Sequence, residues 1–334
     1  METKRVLITG VTGQDGSYLA ELLLDKGYDV YGMVRRLSVP NLKNIEELVR
    51  NNKITLIDGD LLDQASIMNA IRISEPDEVY NLASQSFVAT SWQQAMFTYE
   101  ITGLGALRVF DACRMAEDYT GKQIKIYQAS SSEMYGLANG ICPQNEETIM
   151  KPRSPYGIAK LMAHETGRVY RESYDMWISC GILFNHESER RGIEFVSQKI
   201  ANGVVRIRLG LDKKLILGNI RSKRDWGYSK DYVKAMWSML NEIDKPNDYV
   251  IATGESHSVR EFLQIAFGYL DMDWEQFVKF DKTLERPAEI YDLVGDSSKA
   301  RKKLGWKPSI SFDKLVKIMV DAQLEELEGR EIMR

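Results

Sequence analysis

Tyr156 and Lys160 stand four residues apart in Tyr-Gly-Ile-Ala-Lys, so a helix would set a phenol and an ammonium on one face. A tyrosine ionises near pH ~10 and is a weak base at neutrality. A neighbouring cation favours its phenolate, which can then take the proton of a hydroxyl while a hydride leaves the carbon beneath it. A second pair lies upstream in Gln128-Ala-Ser-Ser-Ser-Glu-Met-Tyr-Gly136. There Ser131 and Glu133 are offset by two and share a face if a strand runs through them. A hydroxyl suffices for simple oxidation; the added carboxylate can remove a carbon-bound proton once a nearby carbonyl has acidified it. Glu133 would also suit a plain turn or cap. Tyr-x-x-x-Lys alone is common, and it gains weight here because Pro152 and Pro155 precede it, as at a helix start.

Such groups need a scaffold. Arg5–Thr9, Asp29–Met33, Ile54–Ile57, Glu78–Leu82, Ile124–Ala129 and Trp177–Leu183 read as strands, with helices expected over Ser17–Lys26, Asp63–Ile73, Gln93–Glu117 and Tyr156–Tyr174. Apolar strands alternating with helices predict an α/β fold built on a doubly wound parallel sheet, the Rossmann arrangement. The second half is less regular. Helices are expected at Phe195–Leu209, Lys230–Leu240, Ser258–Tyr269 and Phe312–Glu325, and a strand at Tyr249–Ala252, which suggests a second, smaller mixed α/β substrate domain. The expected division is 1–184 with 219–247 for the first domain, and 185–218 with 248–334 for the second.

Directly after the first strand, Gly10, Val11, Thr12, Gly13, Gln14, Asp15 and Gly16 form a G-x-x-G-x-x-G turn. Glycines permit close backbone approach, and the following helix would offer free N–H groups to a pyrophosphate. A dinucleotide is therefore expected, although such a string can also be a structural turn. An acidic residue ending the second strand would bind the ribose hydroxyls of NAD. Arg35 and Arg36 stand there instead, and guanidiniums suit a 2′-phosphate, so NADP is expected.

The formal net charge of −4, from 44 basic and 48 acidic residues, gives no polyelectrolyte signature for nucleic acid or a membrane surface. Cys113, Cys142 and Cys180 are too few and too scattered for a disulfide framework, and they read as buried apolar fillers. His164, His186 and His257 lack ligand spacing, so no metal is expected, and His164 reads as packing. With no leader-like or membrane-length apolar run, a reduced, soluble, cytoplasmic protein is expected.

Several strings together resemble one family, the GDP-mannose 4,6-dehydratases of the extended short-chain dehydrogenase/reductases. They are Gly10-Val-Thr-Gly-Gln-Asp-Gly-Ser-Tyr-Leu19, Tyr127-Gln-Ala-Ser with Ser132-Glu-Met-Tyr-Gly136, Pro152-Arg-Ser-Pro-Tyr156, Phe184-Asn-His-Glu-Ser188, Arg224-Asp-Trp-Gly227 and Arg286-Pro-Ala-Glu289. The resemblance implies an internal redox cycle on a GDP-linked sugar in a homo-oligomer, a dimer or a tetramer. Tyr156 deprotonates the C4 hydroxyl, Ser131 hydrogen-bonds O4, and hydride passes to NADP. Glu133 removes the C5 proton and assists loss of the C6 hydroxyl, and hydride returns to C6. The resemblance also implies that Gly10 to Gly16, Arg35, Arg36, Asp60, Leu61, Leu82, Ala83, Ser84, Gln85, Ser86, Tyr99, Lys160, His186 and Arg191 contact the cofactor. Ser86, Asn185, Lys199, Arg224, Arg286 and Glu289 would hold the substrate, with the cations on the diphosphate and Glu289 on guanine.

The chain departs from that pattern in places. Ser131 replaces the usual Thr, Phe87 and Thr90 replace His and Val, Glu189 replaces Pro, and both the Leu37–Asn41 loop and Thr148–Lys151 differ. These changes keep a GDP-linked manno-heptose open as an alternative substrate. A nucleotide-sugar reductase or 4-epimerase is the second alternative, against which Glu133 argues.

Overall fold

The computed structural model describes residues 3–136, 142–284, 288 and 293–332. Its centre is a seven-stranded sheet in which every pairing is parallel. The strands β1 (Arg5–Thr9), β2 (Asp29–Val34), β3 (Thr55–Asp58), β4 (Glu78–Asn81), β5 (Lys125–Ser131) and β6 (Ile178–Leu183) are joined by an edge strand, Tyr249–Ile251. From that edge the order runs β6, β5, β4, β1, β2, β3. The order reverses between β1 and β4, and in open α/β sheets the crevice at the strand carboxyl ends of such a reversal takes the ligand.

Alternation along each strand builds two cores. Val6 and Ile8 of β1 face one layer, packed by Leu19 and Leu23 of the first helix (Gln14–Asp25) and Met236 and Met239 of the helix Ser229–Asn241. Leu7 faces the other layer, with Ile71, Phe110 and Ala163 from three further helices. Tyr249–Ile251, which the sequence division put with the second domain, pairs with β6 in the main sheet. A separate core gathers Ile200, Val204, Leu215, Phe262, Phe267, Val316 and Met319. It is bordered by two-stranded ladders, Leu215–Leu217 with Val278–Phe280 and Lys223–Arg224 with His257–Ser258.

The expected Gln93–Glu117 helix is broken. Helices at Val88–Gln93 and Ala95–Thr98 run into a π-turn, Tyr99–Leu104, before the helix Gly105–Thr120 begins. The break itself falls at Gln94, whose φ of −123° and ψ of 50° leave the helical region, while the two glycines allow close packing further on. A Cβ on Gly103 would lie 2.9 Å from Met162 Sδ, and one on Gly105 would lie 3.0 Å from Leu61 Cβ. Among the described residues, no helix is long and apolar enough to cross a membrane.

Candidate active site

The glycine turn is sterically committed. Gly10 has φ +73°, and a Cβ there would lie 2.9 Å from the Ala83 nitrogen at the end of β4. The first helix starts at Gln14, so Gly16 lies inside it, where a Cβ would run into Gly10 O and lie 2.7 Å from Val11 Cα. No side chain caps this helix start at Gly13, which leaves its first N–H groups facing the crevice. We expect Gly16→Ala to cost about 1–3 kcal/mol through overpacking. Urea unfolding checks this, and an unchanged midpoint would show that the turn can yield.

The second chemical cluster meets this turn across the crevice. Ser154 caps the helix Pro155–Tyr174 by accepting the Gly157 N–H at 3.0 Å, and Pro155 sits in its first turn. Tyr156 and Lys160 are buried on its inner face. The Lys160 ammonium donates to Ala129 O at 2.8 Å and lies 5.8 Å from the centre of the Tyr156 ring. β5 ends at Ser131, and Glu133 follows on a 3₁₀ turn, Ser132–Met134, rather than on a continuing strand. The Ser131 hydroxyl accepts the Glu133 N–H at 3.2 Å, and this side-chain bond lets both residues face one cleft after the strand has stopped. Burial pushes the Tyr156 phenol upward, and its hydrogen bond to Ser131 opposes this. Burial also lowers Lys160 to about 8 against the pull of Asp15.

His186 fills the remaining side. Its Nε2 lies 2.7 Å from Asp15 Oδ2 and its Nδ1 lies 2.7 Å from Phe184 O. Both partners accept, so both ring nitrogens must donate and the ring is an imidazolium. It stacks on Tyr232 at 4.5 Å. Burial opposes this charge, but Asp15 outweighs it and raises the histidine. Burial likewise opposes the Asp15 carboxylate, and His186 and Ser229 outweigh it and hold it at about 2. The pair therefore stabilises the fold above the range where Asp15 titrates, and that contribution is lost as pH rises through the raised histidine value.

Three clefts meet here, with volumes of about 390, 770 and 580 Å³, the scale of small-molecule sites. The first is lined by Gly10, Thr12, Gly13, Gln14, Asp15, Gly16, Ser86, Ser131, Glu133, Tyr156, Lys160, Asn185, His186, Arg191 and Arg224. The second extends past Arg35, Arg36, Asp60, Leu61 and Gln85, while Leu82 borders the first, and Ala83 and Ser84 border both. The third holds Asn185, Lys199 and Arg224 beside Asn219 and Ser222.

The comparisons with known proteins agree with this geometry. A family model described as GDP-mannose 4,6 dehydratase matches residues 7–319. The chain is 48% identical over 336 residues to GDP-mannose 4,6 dehydratase 1 of Arabidopsis thaliana, covering 99% of this chain and 92% of that one. It is 46% identical to GDP-mannose 4,6 dehydratase of Homo sapiens, covering 96% and 91%. The chain belongs to the GDP-mannose 4,6-dehydratase family. It is a dehydratase of the hydro-lyase type. Among solved structures, UDP-glucose 4-epimerase of Thermus thermophilus, in complex with NAD, is 25% identical with a TM-score of 0.83, covering 96% of this chain and 98% of that one.

Some expectations for this GDP-mannose 4,6-dehydratase family member are corrected by the structure. The Val11 side chain is fully buried against Gly32, so any contact it makes with a cofactor would come from its backbone. Tyr99 opens the π-turn and lines none of the three clefts, whereas Phe97 and Ile101 line the second. Cys142 is exposed, unlike Cys113 and Cys180. Arg286 and Glu289 lie outside the described residues. His164 is more than packing: its Nδ1 is 3.0 Å from Ser130 Oγ, and its Nε2 faces Asp248 at 3.9 Å. Among the described residues, no group of His, Cys, Asp and Glu could hold a metal ion. Sequence reading missed Ser130, Phe184 and Phe195 as cleft residues. Ser130 adjoins Ser131 in sequence, and that adjacency was the available signal.

Proposed function

We propose that this enzyme converts GDP-mannose to GDP-4-keto-6-deoxymannose, with NADP as a recycled oxidant. The observation that carries the reading is the single cleft holding Ser131, Glu133, Tyr156 and Lys160 between a glycine turn and a cationic nucleotide cleft. The residues present fit the cofactor. The close-packed turn and uncapped helix start suit a pyrophosphate, and the exposed Arg35 and Arg36 suit a 2′-phosphate. When bound, NADP supplies the acceptor for the C4 hydride and the donor that returns it to C6.

The chain's own groups do the rest. Tyr156 takes the proton from the C4 hydroxyl, and Ser131 donates to O4. Lys160 sets its charge beneath the phenolate. The ketone formed at C4 acidifies C5–H. Glu133 takes that proton and delivers it to the departing C6 hydroxyl, which leaves as water. When hydride returns to C6 a proton must also be added at C5, and it equals in number the one Tyr156 took at C4, so the sum is loss of one water. Lys199, Arg224 and Arg286 hold the diphosphate, and Glu289 holds the base. The same reading carries a cytoplasmic location and a homo-oligomer.

Incubation with GDP-mannose and with GDP-manno-heptose separately, followed by mass spectrometry, tests the proposal. The expected result is loss of one water from GDP-mannose with no net change in NADPH. Dehydration of the heptose alone would move the substrate to the longer sugar. Net NADPH consumption, or an epimer as the sole product, would replace the reading with a reductase or an epimerase.

A further inference from the structure

Phe87 and Phe195 sit where the three clefts join. Phe87 follows β4 and lines the second and third clefts, and Phe195 begins the helix Val196–Arg208 and lines the first and third. Their rings meet edge to face, with centroids 5.4 Å apart and planes at 75°. Behind Phe195, the Arg191 guanidinium lies 3.5 Å from the ring centre. Arg191 is itself fixed by an ion pair at 3.0 Å to Glu187, a buried carboxylate that also accepts the Ser197 hydroxyl at 2.6 Å. On the other side, Gln85 Nε2 donates to Phe87 O at 3.0 Å. Two segments, one from each core, thus close on each other through a cation laid over one ring that meets the second ring edge to face.

We propose that Phe87 and Phe195, backed by Arg191, form a wall that retains the oxidised sugar between hydride removal and hydride return. The inference rests on the redox cycle proposed above. That cycle has a need simple oxidations lack: the ketone made in its first step must stay until the last. An oxidised sugar that escapes takes its chance of reduction with it. The substrate has then become a GDP-4-keto-hexose that keeps its C6 hydroxyl, and the hydride remains on the nicotinamide. Apolar rings at the junction also keep bulk water from the ketone. Neither ring has a titratable or hydrogen-bonding group, so the wall acts by containment and positioning and takes no chemical step.

The test uses Phe87→Ala and Phe195→Ala in the full-length enzyme with GDP-mannose. Two readouts are followed together, the absorbance of reduced nicotinamide and the mass of the released nucleotide sugar. The expected result is a fraction of undehydrated keto-sugar raised by at least about tenfold, with reduced nicotinamide accumulating as turnover stalls. Phe87→Tyr, which keeps the ring, should restore retention. Variants that release only dehydrated product with the cofactor oxidised, whatever their kcat, overturn the wall. If Phe195→Ala does not fold, Phe87→Ala decides alone, since it alters the opposite segment. If the unmodified enzyme never passes hydride to the nicotinamide, it is the redox cycle that fails.

Discussion

Glu133→Gln will oxidise its substrate and stop there. The amide keeps the volume of the carboxylate, and the backbone N–H at this position still donates to Ser131 Oγ, so the 3₁₀ turn and the cleft should survive. What is lost is a group able to take the C5 proton. Positioned acid–base groups contribute about 10²–10⁴-fold, and a loss of dehydration in that range is expected. In the proposed mechanism hydride removal at C4 uses Tyr156 and Ser131, and it should proceed. Rapid mixing with GDP-mannose should show reduced nicotinamide rising and persisting, with no water lost by mass spectrometry. Dehydration retained at the unmodified rate would remove Glu133 from the chemistry.

Tyr156→Phe should be silent where Glu133→Gln is not. Without the phenol, the C4 proton loses the acceptor that the proposed mechanism gives it, and Glu133 is the group that mechanism reserves for C5. Lys160 is engaged with Ala129 O, and Ser131 lacks the basicity. A loss of about 10²–10⁴-fold is expected, now in the first step. Under the same mixing the nicotinamide should stay oxidised, while binding of the GDP-sugar, measured by calorimetry, should change little because the proposed diphosphate contacts, Lys199 and Arg224, are untouched. Rapid appearance of reduced nicotinamide in this variant would assign the first proton to another residue. The two variants together order the steps, since one halts after oxidation and the other before it.

The parts of this fold with a strong local period were legible in the sequence. β1 to β6 fall within a few residues of their expected spans, because each carries a short run of β-branched, aromatic or other apolar residues between helices. The short ladders escaped notice for the opposite reason. Two or three residues, as in Lys223–Arg224, are too few to show a period. Ser131 and Glu133 were found as a pair but through strand alternation, whereas the structure joins them through a side-chain-to-backbone bond. The Asp15–His186 ion pair spans 171 positions and the Phe87–Phe195 contact more than a hundred, and no local pattern encodes such separations. Phe87 was visible only as an unusual residue at a known place.

The edge strand Tyr249–Ile251 fixes when this molecule can first exist during its synthesis. Less than half of the second core precedes it in the chain, and the rest, including the helix Phe312–Ile332, follows. A nascent chain that has made β6 therefore carries a raw sheet edge while the ribosome completes another sixty-odd residues. The sheet lobe is completed first, but only after part of the second lobe has been made, so the two lobes do not fold strictly in chain order. The exposed edge during that interval is where a chaperone would do most good, and where a second nascent chain would do most harm.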